Sequence, residues 1–171
     1  MTDRRAFLRC ASVLMGHAAL GQVITAFAAS PRKASFLDES EMRTLRALVD
    51  VILPATDSPA ASAADTHFFI DLAVPACASP AAQKTFRAGL ATFAGYDQLA
   101  PAEQIVKLRT RAAADMPLSY DESFFRILKD YTLVGYFLSE TGATQALAYE
   151  RVPGGFQGDL PLKPNQKAWA I

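Results

Sequence analysis

The chain has 171 residues, 51% of them hydrophobic, with 17 basic residues against 17 acidic ones and only two cysteines. That length suits one domain able to bury a sizeable core. The even charge offers nothing to a polyanion, so nucleic acid is not an expected partner, and two cysteines are too few for a disulfide-built scaffold.

Residues 2–10 read TDRRAFLRC, with Arg4 and Arg5 adjacent, Phe7 and Leu8 two positions on, and no charged residue from 10 to 29. This is the pattern of a twin-arginine signal, which sends folded proteins across a membrane; an ordinary secretory signal is the alternative. Ala26 and Ala28 flank Phe27 as a small-x-small cleavage site. Gly16, His17, Gly21, Gln22 and Thr25 dilute the apolar stretch and make it a poor permanent anchor. A lipoprotein reading of Cys10 fails, because Arg9 precedes it and the apolar region follows it. Cleavage after Ala28 would leave 143 residues, 14 basic and 16 acidic, with Cys77 as the sole cysteine. Whether the leader is cleaved or retained stays open. Cys77 is expected to be a buried free thiol, with a bridge to another chain as the alternative.

Residues 29–141 read as a helical domain. Asp38 with Glu41 three positions on forms a capping box, and Met42, Leu45, Val49 and Ile52 recur at helical spacing until Pro54. ATDSPAASAAD, residues 55–65, is small and polar and reads as a loop. THFFIDLAV after it is short and apolar enough for a strand, but a helix from Thr66 is preferred. Pro80 opens another helical pattern through Phe86, Leu90 and Phe93, which Gly95 helps to end, and Pro101 starts a further helix. In residues 119–140, Phe124, Leu128, Tyr131, Gly135 and Leu138 share one helical face, with Asp121 and Glu122 at its N-terminal end, where the helix dipole favours them. Gly135 weakens a helix, so it marks close approach of another backbone. With no sustained alternation and no repeat, the expected class is all-α, a compact single helical domain.

From Gly142 the composition changes. Residues 142–171 mix glycine and proline with Tyr149, Phe156 and Trp169, which suits an extended arm too aromatic for simple disorder. Such an arm packs either on its own body or on a partner.

Chemistry-bearing motifs are scarce. His67 and Asp71 sit four residues apart, but two ligands are too few for a zinc site, and His67 reads as a surface or cap-adjacent residue. There is no Cys-x-x-Cys-His for haem and no cysteine set for an iron–sulfur cluster. PGGFQG, residues 153–158, lacks the flanking strand and helix of a phosphate cradle and reads as a turn. No nucleophile elbow displays a serine.

The twin-arginine start, LRALVDVILPATDSPAA at residues 45–61, the long stretch from FFRILKDYTLVGYFLSE through AYERVPGGFQGDLPL at residues 124–162, and KAWA at residues 167–170 resemble the gluconate 2-dehydrogenase subunit 3 family. These are small subunits of bacterial flavin-dependent sugar and alcohol dehydrogenase complexes. The resemblance implies a chain with no cofactor and no catalytic residue of its own. Its implied partners are a large subunit carrying FAD and, commonly, a multihaem cytochrome c subunit holding haem c. It also implies a role in maturation and twin-arginine export of the large subunit. The complex would lie in the periplasm, associated with the inner membrane, with Arg4 and Arg5 addressing the translocation machinery. Phe124, Tyr131, Gly135, Tyr149, Phe156 and Trp169 are the expected partner interface. A stand-alone periplasmic ligand-binding protein is the alternative, and an enzyme with an unadvertised site the third possibility.

Overall fold

Asp38 starts the first helix as the sequence requires. Its carboxylate accepts from the Glu41 amide at 2.8 Å, and the Glu41 carboxylate accepts from the Asp38 amide at 2.9 Å. In the computed structural model, which describes residues 36–148, 159, 161, 164 and 166–169, this helix is α1 (Glu39–Ile52). It is followed by α2 (Thr66–Cys77), α3 (Pro80–Ala91), α4 (Pro101–Asp115) and α5 (Phe124–Phe137). The described residues contain no β-strand, only an isolated parallel bridge between Ala148 and Trp169. The all-α expectation holds.

The buried face of α1 is Met42, Leu45, Leu48 and Val49. The polar loop after it is pinned at several points: Ser62 donates its amide to Asp50 at 2.8 Å, and the Tyr136 hydroxyl donates to the Pro59 carbonyl at 2.8 Å. A 3-10 turn, Ala61–Ala64, ends at Asp65, whose φ of 56° lies in the left-handed region that a short polar side chain tolerates. From there α2 runs as a helix rather than a strand. It is apolar around most of its circumference, with Phe69, Ile70, Ala73 and Val74 buried, which suits its position packed against both α1 and α5.

Ser79 caps α3 by accepting from the Ala82 amide at 3.1 Å, with Pro80 in the first turn. The helix stops at Ala91, short of the expected Phe93, which is still buried but sits in the turn closed by Gly95 at φ 74°. Phe86 and Phe93 both meet Phe124 of α5, with ring centroids 5.7 and 5.5 Å away, and this cluster joins α3 to α5.

Three expectations for α5 are corrected. Asp121 and Glu122 do not open it: they belong to a separate 3-10 turn, Tyr120–Glu122, and the cap of α5 is Ser123, which accepts from the Arg126 amide at 3.2 Å. Glu122 instead accepts from the Ser119 hydroxyl at 2.6 Å, a bond that holds its carboxyl below the ordinary value. Leu138 follows the end of the helix and is exposed, so it leaves the buried face. What crowds Gly135 is the ring of Phe69 on α2 rather than a backbone.

Candidate docking surface

Arg4, Arg5, Phe7, Leu8, Ala26 and Ala28, and likewise Tyr149 and Phe156, lie outside the described residues. Phe124 and Tyr131 are 0% and 5% exposed, and Gly135 is buried with them. These three are core residues of the chain itself and offer no surface to a partner. The helical periodicity reported burial, and what it buries against is α2 and α3. Trp169 is different: it is 54% exposed. Its segment returns to the body beyond α5, where Ala148 donates its amide to Ala168 at 2.8 Å and Lys167 donates to the Gln145 carbonyl. The π-helical turn Gly142–Ala146 turns the chain there, and Gly142 is so close to the Tyr136 carbonyl that a Cβ would lie 2.0 Å from it.

The apolar surface that sequence reasoning missed is on α4. Of its 15 residues only Leu108 and Asp115 are buried. Ile105 is exposed, Val106 is 64% exposed, Met116 just past the helix is 73% exposed, and Leu118 follows them to the surface. At about 100° per residue, Ala102, Ile105, Val106, Arg109, Ala113 and Met116 fall on one side of the helix, away from Leu108. The adjacent pair Ile105-Val106 was the available signal, since one helix face cannot bury both as fully as Leu108.

Polar fastenings hold α4 in place despite this thin apolar footing. At its start, the Tyr96 hydroxyl donates to the Gln104 backbone carbonyl at 2.6 Å and the Gln104 side-chain Nε2 donates to the Tyr96 carbonyl at 2.9 Å. Burial pushes the Tyr96 hydroxyl up to about 12, so it remains a donor across the physiological range. At its end, buried Asp115 pairs with Arg111 at 2.8 Å and accepts from the Phe125 amide at 2.8 Å. Between them, Lys107 lies over the Phe93 ring and Arg111 over the Phe124 ring, 5.3 and 5.5 Å from the centroids. Arg126 of α5 donates to the Met116 carbonyl at 2.8 Å. The described ion pairs engage Arg43, Arg87 and Arg111, whereas exposed Arg109 has no carboxylate partner among the described residues. The outer face of α4 is therefore apolar with a single cation, Arg109, at its middle.

The titratable groups are dispersed. His67 is buried in the first turn of α2, not at the surface, with its ring 4.4 Å from that of Phe68. Asp71 accepts from the amides of Phe36 and Leu37 at 3.1 and 2.7 Å, fastening the segment that precedes α1 to α2. Cys77 is free and half-buried rather than buried, and burial raises its thiol. Asp130 is half-buried on α5, and desolvation raises its carboxyl, with Lys129 and Arg126 opposing the shift. Among the described residues no three His, Cys, Asp or Glu side chains are grouped to hold a metal. A cleft of about 210 Å³ between α1 and α3 is smaller than a typical small-molecule site of roughly 300–1,000 Å³, and a larger depression beside Phe36 and Arg87 is an open trough.

Among protein families, the chain matches the one described as gluconate 2-dehydrogenase subunit 3, over residues 39–154. The match opens with the first residue of α1 and spans all five helices, leaving Phe156 and Trp169 beyond it. No curated protein and no solved structure matches the chain.

Proposed function

The chain belongs to the gluconate 2-dehydrogenase subunit 3 family, and from that premise we propose that it is the non-catalytic accessory subunit of a flavin-dependent sugar or sugar-acid dehydrogenase. In this role it supports maturation of a larger FAD-bearing subunit and carries that subunit through the twin-arginine pathway. The observation that carries the reading is the family match across the whole helical body, since the family takes its name from a subunit of a dehydrogenase complex.

Flavin enters a folded protein in the cytoplasm, so a flavoprotein working outside must cross the membrane folded, and a twin-arginine signal on a tightly bound companion serves that need. Arg4 and Arg5 supply the signal in this scheme. Asp71, by gripping the amides of Phe36 and Leu37, fastens the start of the described body to α2. A companion also needs a durable contact, and an outward apolar face such as that of α4 is suited to one. The flavin belongs to the large subunit, and haem c to a multihaem cytochrome subunit of the same periplasmic complex, which holds it at the inner membrane. The sugar oxidised is then chosen by the large subunit.

The test follows the flavoprotein's compartment in cells with and without this chain. Retention in the cytoplasm when the chain is missing is the expected result, and equal export in both strains is the contrary one.

A further inference from the structure

We propose that the outer face of α4, with Ile105, Val106 and Met116 around Arg109, is the surface on which this chain seats the flavin-bearing subunit, against an apolar patch that places a carboxylate opposite Arg109. The proposal rests on the accessory-subunit reading and adds to it the surface and the chemistry of its counterpart.

Three observations lead to it. First, α4 is tied down by polar clasps and cation–π contacts and contributes little apolar surface to the core, so its exposed apolar side chains are not surplus from a well-buried amphipathic helix. Second, Arg109 lies midway along the stripe from Ala102 to Met116 and has no carboxylate partner among the described residues. An isologous pairing of two copies about that midpoint would bring Arg109 against its own counterpart, with like charges at the interface centre. A partner of different sequence with an acidic residue there removes that repulsion. Third, Arg126 of α5, donating to the Met116 carbonyl, adds a second positive charge at the Met116 end of the stripe, which sets an acidic rim there as the complement.

The test uses the full chain and the flavin-bearing subunit, with affinity measured by titration calorimetry for the natural chain and for Val106→Glu, Arg109→Glu and Leu138→Glu. Val106 and Leu138 are both exposed, so neither change disturbs the core, and unfolding temperatures check this. Val106→Glu is expected to weaken binding about 30-fold or more and Arg109→Glu about 10-fold or more, as for anchor residues, with Leu138→Glu within about twofold of the natural chain. Hydrogen exchange at residues 105–118 should slow in the complex. Binding by the natural chain that Val106→Glu and Arg109→Glu leave intact overturns the surface while sparing the accessory role. No binding by the natural chain overturns both. If Val106→Glu abolishes self-association, or adsorption to anionic phosphatidylglycerol vesicles, while flavoprotein binding persists, the face serves a second copy or a membrane and the proposal is wrong.

Discussion

A methyl group on Gly135 would sit 2.5 Å from Cδ1 of Phe69, so α2 and α5 pack at a separation that only glycine permits at this position. Alanine favours a helix over glycine by about 1 kcal/mol, but overpacking a tight core typically costs about 1–3 kcal/mol. Gly135→Ala is therefore expected to destabilise the chain by about 1–2 kcal/mol in urea unfolding, against its helix propensity. Adding Phe69→Leu should make the two changes non-additive, because the shorter side chain relieves the clash.

The attachment of α4 depends on Asp115. Its carboxylate is 3% exposed and serves both Arg111 and the Phe125 amide, so removing it strands a cation and a buried donor together. Because Arg111 retains some contact with water, the expected loss for Asp115→Ala is about 2–4 kcal/mol, toward the lower side of values for fully buried pairs. Asp115→Asn keeps an acceptor for the Phe125 amide and should lose less. Amide exchange along residues 104–111 should accelerate more than exchange in α2, which distinguishes release of α4 from global weakening.

Asp130 gives a pH signature of the opposite sign to most carboxylates. Burial raises its pKa in the folded state, so the charged form is disfavoured by folding. That penalty is present above the folded pKa and disappears as pH falls below the unfolded value. Asp130→Asn should accordingly raise the thermal midpoint at neutral pH and leave it unchanged in acid below the ordinary carboxylate range. Equal midpoints for the two proteins at neutral pH would contradict the assignment.

Helix starts were legible where a side chain performs a local task. Asp38 with Glu41, and prolines 80 and 101, mark beginnings by hydrogen bonds or a fixed φ that need no tertiary context. The start of α5 was misread because two acidic residues before an aromatic run satisfy the same electrostatic rule as a first turn, whereas the cap is the less conspicuous Ser123. Periodicity identified Phe124, Tyr131 and Gly135 as one face, but a pattern cannot distinguish a face that meets another helix of its own chain from one that meets a partner. Burial of His67 likewise depended on the placement of α2, which its local sequence does not encode. On α4 the difficulty was reversed: cation–π and backbone clasps hold the helix, and they leave no hydrophobic period to read.

Replacing Arg4 and Arg5 together by lysine keeps the charge and removes the guanidinium geometry that twin-arginine recognition uses. Export of the chain and of any bound flavoprotein is expected to fall severely, with both accumulating in the cytoplasm. An ordinary secretory signal would tolerate the change, so undiminished periplasmic protein would reassign the leader to that route.

The central claim is that this chain serves the maturation and transport of a catalytic partner and contributes no reacting group. The most direct measurement expresses the flavin-bearing subunit with and without this chain, then determines its compartment, its flavin content and its turnover per bound flavin. With the chain present, the subunit should be periplasmic and flavin-loaded. Without it, the subunit should remain in the cytoplasm and be recovered in lower yield, while whatever fraction holds flavin turns over at the same rate. A subunit that reaches the periplasm loaded and fully active alone would contradict the account, as would sugar oxidation by this chain in isolation.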